Sequence, residues 1–191
     1  MKDVTNILLV GVGGQGTILA SKILSTGLVS AGYDVKMSEV HGMSQRGGNV
    51  STQIRFGGKV HSPIFGKGEA DVIVAFEKME ALRWLPYLKK VGKMVINDYE
   101  IPSAPILMGK EAYPQGIIAE LESKATISVF KAADIATGLG NIKMMNVFLL
   151  GGLVKALNMT GIDWEKVIRS NVKEGFAELN VTAFHIGFAK A

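Results

Sequence analysis

Two glycine-containing segments near the N-terminus carry the residue types best suited to binding chemistry. The first, GVGGQG, places Gly11, Gly13 and Gly16 at the spacing of the GxGxxG fingerprint, with Gly14 and Gln15 between them. Glycines at these positions allow a tight turn, and the free N–H groups at the start of the following helix can bind an anion. The segment therefore predicts a turn that accepts a phosphate or a carboxylate.

A dinucleotide site is one interpretation of this fingerprint, and a turn that only closes the backbone is another. In dinucleotide-binding proteins an acidic residue about 20 positions later holds the ribose hydroxyls. Glu39, which lies 23 residues after Gly16, is the candidate here. Two features argue against NAD: Gln15 places a bulky side chain inside the turn, and the loop after Glu39 is not part of a plain dinucleotide fold.

The second segment, HGMSQRGG, begins at His41 and centres on Arg46. A guanidinium flanked by small residues can bind a carboxylate or phosphate with two parallel hydrogen bonds, whereas a solvated surface turn is the alternative. Both segments follow strands expected to be parallel, so they should meet at the carboxyl edge of the sheet. We predict one ligand-binding or subunit-interface site formed by Gly11, Gly13, Gly14, Gln15, Gly16, Glu39, His41, Ser44, Gln45, Arg46 and Gly47.

Several other chemistries are disfavoured by the residue inventory. The chain has no cysteine, which excludes disulfides, cysteine nucleophiles and cysteine-ligated zinc or iron–sulfur clusters in it. His41, His61 and His185 are unclustered, and no P-loop motif is present, so neither a metal site nor P-loop chemistry is predicted. Glu77 follows a predicted strand at the same edge and is expected mainly to start a helix. No catalytic residue is predicted.

Composition narrows the class of protein further. The 191 residues are 48% apolar with a net charge of +4 but no basic tract, which predicts a globular domain that does not bind nucleic acid. No apolar run is long enough for a signal peptide or a membrane span, so a cytoplasmic protein is expected. A mean hydropathy of +0.26 indicates either an unusually rich core or apolar surface buried against another protein, and the second explanation is favoured.

The hydrophobic pattern predicts an α/β fold in which strands and helices alternate. Residues 6–40 are expected to form a βαβ unit with a parallel pair, and residues 49–65 a hairpin that turns at Gly57 and Gly58. The helix of the βαβ unit is expected over residues 14–31, with an apolar face formed by Ile18, Leu19, Ile23, Leu24 and Val29. From about residue 132 the chain should be helical, with a buried helix over residues 141–157. We therefore predict a single domain over residues 1–191: a Rossmann-like, mostly parallel twisted sheet with helices on both faces and a helical C-terminal region.

Together these segments are similar to a known family. GVGGQGTILASKIL, EVHGMSQRGGNVSTQIRFG, ADVIVAFEKMEALR and NVTAFHIGF resemble the gamma domain of the 2-oxoacid:ferredoxin oxidoreductases, over nearly the whole chain. The HGMSQRGG segment favours the indolepyruvate branch over the pyruvate and 2-oxoglutarate branches. The resemblance implies oxidative decarboxylation of aryl 2-oxoacids with coenzyme A, giving aryl-acetyl-CoA and reduced ferredoxin.

The resemblance also implies how the work is divided between subunits. Thiamine diphosphate, Mg²⁺ and the iron–sulfur clusters would be held by a larger alpha subunit, because this chain has no cysteine and no GDG-type thiamine diphosphate motif. Ferredoxin would be reached through that complex, and the isolated small subunit could form a homo-oligomer. The alternatives are a gamma subunit for pyruvate or 2-oxoglutarate and a stand-alone NAD(P)-binding protein.

Overall fold

A six-stranded sheet forms the centre of the computed structural model, which describes residues 3–42 and 48–191, with His41 described by its backbone alone. The first strand is a continuous apolar run in which all residues but the first are buried, as expected for a central strand. The strands are β1 (Thr5–Val12), β2 (Asp34–His41), β3 (Asn49–Gly57), β4 (Ala70–Ala75), β5 (Leu88–Asn97) and β6 (Thr126–Phe130).

The sheet is mixed, and five of its strands run in one direction. The order is β2-β3-β1-β4-β5-β6. The pairs β1–β4, β4–β5 and β5–β6 are parallel, and β3 is antiparallel to both of its neighbours, β2 and β1. The predicted α/β class and mostly parallel sheet are therefore confirmed.

Strand β3 corrects two details of the sequence-based prediction. β2 was expected to pair directly with β1, but β3 lies between them and pairs with both. β3 was also expected to form a hairpin with residues 59–61, whereas its hairpin partner is β2 and residues 58–69 contain no strand. The physical reason is that a short loop can join an antiparallel pair such as β2–β3, whereas a parallel pair needs a long crossover connection.

The described residues form eight α-helices, most of which pack against one of the two faces of the sheet. They are α1 (Thr17–Ser30), α2 (Lys78–Trp84), α3 (Ala104–Leu107), α4 (Ile117–Glu122), α5 (Ala132–Gly138), α6 (Met145–Ala156), α7 (Trp164–Asn171) and α8 (Ala177–Lys190). One apolar core lies under α1 and α5–α8, and a second lies under α2 and α4. The predicted helical C-terminal region is thus confirmed.

Helix α1 is shorter and less buried than its sequence pattern suggested. It begins at Thr17, after Gly16 in the left-handed conformation, and not at residue 14 as expected. Ile23 and Leu24 are buried as predicted, but Ile18 and Val29, assigned to the same apolar face, are exposed.

The most apolar helix is buried on all sides, as predicted. Ten consecutive residues of α6, from Met145 to Val154, are buried between the sheet and α8. Within the described parts of the chain, no helix is long and apolar enough to cross a membrane.

Candidate functional site

The glycine loop joins the carboxyl end of β1 to the start of α1. Gly14 and Gly16 have φ angles of 99° and 80°, which only glycine adopts readily. At Gly16 a side chain is also excluded by contact, since a Cβ atom there would lie 2.3 Å from Nδ2 of Asn146. The loop therefore requires glycine at Gly16 for both conformation and space, and at Gly14, which is not one of the three fingerprint glycines, for conformation alone.

Gln15 has its side chain folded into the loop. Its Oε1 accepts a hydrogen bond from the backbone N–H of Val12 at 2.7 Å, and its Nε2 donates to the carbonyl of Phe76 at 2.8 Å. The side chain is 5% exposed. The bulk of Gln15 was expected to hinder a bound nucleotide. Instead, its side chain connects β1 to the end of β4, because its amide oxygen and nitrogen both form hydrogen bonds with the backbone.

The two glycine segments meet at the carboxyl edge of the sheet. The N–H of Gly13 donates to the carbonyl of Gly48 at 2.9 Å, and the N–H of Gly42 donates to the carbonyl of Asn49 at 3.0 Å. The predicted proximity of GVGGQG and the end of HGMSQRGG is therefore confirmed. Ser44, Gln45, Arg46 and Gly47 lie outside the described residues, as does the side chain of His41, so their roles stay predictions.

Glu39 lies on β2, so β3 separates it from the strand that leads into the glycine loop. Its Oε1 accepts a hydrogen bond from Oγ of Ser21 on α1 at 3.0 Å. This contact directs the carboxylate towards the side of α1. A ribose-binding role for Glu39 stays a prediction.

A cavity of about 510 Å³ opens beside the glycine loop, against the C-terminal helices. Its size falls within the range of small-molecule sites. The lining residues are Gly14, Gln15, Gly16, Leu19, Asn141, Lys143, Met144, Asn146, Asn171, Val172, Lys173, Phe176 and Asn180.

Two lysines and no carboxylate line this cavity among the described residues. Neither Lys143 nor Lys173 forms an ion pair with any described residue. The N-terminus of α1 adds positive potential, because it has no side-chain cap and no acidic residue in its first turn. Lysines without an ion-pair partner among the described residues, beside an uncapped helix N-terminus, are suited to binding an anion.

Most of these lining residues were missed by the sequence reasoning. Asn146 contacts the glycine loop across 130 positions, donating from Nδ2 to the carbonyl of Gly16 at 3.2 Å. The sequence signal that could have indicated this part of the cavity was the presence of Lys143 and Asn146 in an otherwise apolar segment. Lys173 and Phe176 gave no comparable signal, because they lie in a short polar connection between helices.

Glu77, at the end of β4, starts helix α2, as expected. Its Oε2 accepts the N–H of Glu80 at 2.9 Å, and its Oε1 accepts the hydroxyl of Tyr113 and the N–H of Ile101. Burial and the hydrogen bond to Glu77 raise the pKa of Tyr113. The carboxylate is fully buried and occupied, and it fastens the segment after β5 to α2.

Glu80, one turn into α2, is buried, with its side chain 4% exposed. Burial raises the pKa of its carboxyl group, an effect opposed by Arg83 and by the indole N–H of Trp84. In the described part of the chain, no three His, Asp or Glu side chains are grouped so as to hold a metal ion.

Comparisons with known proteins agree with this geometry. The chain is 38% identical to the indolepyruvate oxidoreductase subunit IorB of Pyrococcus horikoshii, over 97% of this chain and 95% of that protein. It is 26% identical to the 2-oxoglutarate synthase subunit KorC of Methanothermobacter marburgensis, over 95% of this chain and 93% of that one.

A solved structure shares the fold. The crystal structure of pyruvate oxidoreductase subunit PORC from Thermotoga maritima superposes with a TM-score of 0.74 at 21% identity, covering 99% of this chain and 97% of that chain. A family model described as pyruvate ferredoxin/flavodoxin oxidoreductase matches residues 6–190. Since that match spans both glycine segments, the sheet and the C-terminal helices, the chain belongs to the pyruvate ferredoxin/flavodoxin oxidoreductase family.

Proposed function

We propose that this chain is the small subunit of an indolepyruvate oxidoreductase. The complex would decarboxylate aryl 2-oxoacids oxidatively, using coenzyme A and reducing ferredoxin. The observation that carries the proposal is the difference in identity over nearly full-length matches: 38% to an indolepyruvate oxidoreductase subunit against 26% to a 2-oxoglutarate synthase subunit.

The redox and decarboxylation cofactors belong, in this proposal, to a larger alpha subunit. Iron–sulfur clusters are bound mainly through cysteine thiolates, and this chain has no cysteine. It also lacks a GDG-type motif for thiamine diphosphate and Mg²⁺. Thiamine diphosphate and the iron–sulfur clusters would supply the decarboxylation and electron-transfer chemistry of the complex, and the small subunit would contribute binding surfaces.

In this proposal, the chain contributes to ligand binding or to subunit contact at the carboxyl edge of its sheet. The glycine loop and the HGMSQRGG segment would contact the larger subunit or coenzyme A, with the Arg46 guanidinium and the loop N–H groups binding phosphate or carboxylate. The hydrogen bond from Gly13 to Gly48 supports this proposal, because it brings the ends of both segments to one place.

Co-purification with the native partner tests the assignment. A tagged chain expressed with the larger subunit should recover a brown complex that contains thiamine diphosphate and oxidises indolepyruvate faster than pyruvate or 2-oxoglutarate. A colourless chain that turns over NAD by itself would refute the proposal. A complex that prefers 2-oxoglutarate would assign the chain to another branch of the family.

An Arg46→Ala variant in the same complex tests the role of the second segment. We expect about a tenfold rise in the apparent KM for coenzyme A or for the 2-oxoacid, or weakened assembly, because a charge-assisted hydrogen bond is lost. Arg46→Lys should restore part of the loss, and the exposed Lys67→Ala should change neither property. Unchanged KM values and intact assembly in Arg46→Ala would show that this role is wrong.

A further inference from the structure

Strand β2 forms an open edge of the sheet. It pairs with β3 along one side over all 8 of its residues, and no described strand pairs with its other side. The register with β3 is continuous, β2 contains no proline, and the side chains of Met37 and Val40 are exposed. Proteins usually protect a sheet edge with a proline, a bulge or a very short strand. Because β2 has none of these, its free side is available for pairing with another strand.

One face of β2 carries two opposite charges that are two residues apart. Nζ of Lys36 donates to Oδ1 of Asp34 at 2.7 Å, and both side chains are partly exposed. This hydrogen bond lowers the pKa of Asp34, so the carboxylate is ionised at neutral pH. A lysine on an edge strand normally discourages pairing, but here an aspartate on the same face neutralises it. The pair of charges is complementary to an antiparallel copy of itself, in which each lysine lies opposite the aspartate of the other copy.

Charge also selects one register for such a pairing. Directly opposed residues of an antiparallel pair face the same side of the sheet, so a two-fold axis between two copies of β2 passes beside a residue that then faces its own copy. An axis at Asp34, Lys36 or Glu39 would place like charges opposite each other, which is destabilising. An axis at Met37 would leave Lys36 opposite an uncharged residue. Only the axis at Val35 places both lysines opposite both aspartates.

The other face of the same edge offers apolar surface around that axis. A short turn joins the end of α1 to β2, so the last turn of the helix lies beside the start of the strand. Val29 in that last turn is 58% exposed, and Val35 is only partly buried where it packs against the core under α1. Met37, exposed on the same face, lies with its Sδ atom 3.8 Å from Oγ of Ser25 on α1. With the axis at Val35, these apolar side chains of two copies would meet and leave water, which favours association.

We propose that two copies of this chain associate through β2, in an antiparallel pairing with its two-fold axis at Val35, so that one sheet continues across both copies. A second copy is the occupant because the edge is complementary to itself in charge on one face and in apolar surface on the other, as a two-fold interface requires. The backbone N–H and C=O groups on the free side of β2 would form the hydrogen bonds of the new ladder. The contact is centred near the start of β2, away from the glycine loop, and does not depend on the function proposed above.

Analytical ultracentrifugation of the 191-residue chain tests the dimer. We expect a monomer–dimer equilibrium with a Kd below about 100 µM. Lys36→Asp and Asp34→Lys should each raise the Kd at least about tenfold, because both cross-strand pairs change from attraction to repulsion. An equimolar mixture of these two variants should dimerise within about threefold of the original affinity, because opposite charges face each other again. The control Lys90→Asp, at an exposed position on β5, should leave the Kd within about twofold.

The mixture also controls for folding. Asp34 accepts the N–H of Val60, so Asp34→Lys removes a hydrogen bond within the chain as well as the contact between copies. A variant that had failed to fold could not be restored by mixing it with Lys36→Asp, so restored dimerisation would show that both variants are folded. If the charge variants left the Kd unchanged, or if Lys90→Asp raised it equally, the proposal would be wrong. Loss of dimerisation without recovery in a mixture whose components both show the native circular dichroism spectrum would refute it as well.

A cross-link tests the register. The chain has no cysteine, so Val35→Cys should give an intermolecular disulfide on mild oxidation, because directly opposed Cβ atoms lie close enough for one. Met37→Cys, on the same face, and Val91→Cys, at an exposed position on β5, should cross-link at least about fivefold less. Cross-linking through Met37 in preference to Val35 would overturn the proposed register. A chain that stays monomeric at about 1 mM would overturn the dimer, and protection of β2 from hydrogen exchange only in the larger complex would then identify another subunit as the occupant.

Discussion

The amide of Gln15 and the amide of Asn97 converge on one carbonyl oxygen, that of Phe76. Gln15 donates to it at 2.8 Å and Asn97 at 3.2 Å, while Oδ1 of Asn97 accepts the N–H of Ala132 at 3.0 Å. These two buried side chains connect the carboxyl ends of β1, β4 and β5 with the start of α5. The geometry of the glycine loop is therefore set before any ligand binds.

Replacing Gln15 by alanine should destabilise the protein measurably. The N–H of Val12 would lose its only side-chain partner in a buried position, whereas the carbonyl of Phe76 would keep Asn97. Leaving one buried donor unpaired costs about 1–3 kcal/mol, so the free energy of unfolding in urea should fall by that amount. Gln115→Ala, at an exposed position, should change it by less than about 0.5 kcal/mol. Equal effects of the two substitutions would contradict the structural role of Gln15.

Single residues also show where sequence reasoning succeeds and where it stops. Gly11, Gly13 and Gly16 were identifiable because their spacing within six positions encodes a local turn. The proximity of Lys143 and Lys173 to the glycine loop was not identifiable, because it depends on how α6 and the end of α7 pack against α1. A contact across 130 positions leaves no local pattern, so the cavity appears only in three dimensions.

Among the elements, β3 has the largest influence on the site. It pairs with β1 from Thr5 to Val12 and with β2 from Asp34 to His41, and it runs against both. The end of β2 and the start of β3 therefore lie beside the end of β1, which brings Gly48 next to the glycine loop. The strand pattern of β3 was evident in the sequence, but its pairing partners were not, because hydrophobic alternation indicates a strand and not its neighbours.

Helices α6 and α8 cross in close contact. A Cβ atom on Gly187 would lie 1.9 Å from the carbonyl oxygen of Phe148, and one on Gly151 would lie 2.2 Å from that of Phe184. Each helix thus presents a glycine to the backbone of the other. Since the cavity lining includes Asn146 near the start of α6 and Asn180 near the start of α8, this crossing also sets the width of the cavity.

Gly187→Ala should separate the two helices and lower stability. The added methyl group meets backbone, which cannot rotate away, so we expect a loss of about 3 kcal/mol or more in urea unfolding. Gly138→Ala is the matched control, because it lies at the end of helix α5 with no atom within 4 Å of the added Cβ and no positive φ. Alanine there should stabilise the protein by about 0.4–1 kcal/mol. Similar losses at the two glycines would show that the helix crossing is not tightly packed.

At the scale of the whole molecule, two apolar cores share one sheet. Alternate residues of the central strands face opposite sides: Leu9 and Val74 belong to the core under α1, whereas Leu8 and Ile73 belong to the core under α2. Because a strand cannot leave one core without leaving the other, the two faces should unfold together. At the carboxyl edge, Val10 and Ala75 belong to the core under α2, whereas Phe76, whose carbonyl accepts the Gln15 hydrogen bond, belongs to the core under α1. The carboxyl-edge site therefore borders both cores.

The two tryptophans allow this coupling to be measured within a single molecule. Trp84 packs against the core under α2, and Trp164 is buried in the core under α1. Labelling with 5-fluorotryptophan gives one ¹⁹F resonance for each side, and both should disappear at the same urea concentration in a two-state transition. Leu24→Ala, which creates a cavity in the core under α1 alone, should lower the free energy of unfolding by about 2–5 kcal/mol and move both resonances together. If the Trp164 transition shifted while that of Trp84 stayed in place, the two faces would be separate folding units. The edge site would then be assembled from parts that open independently.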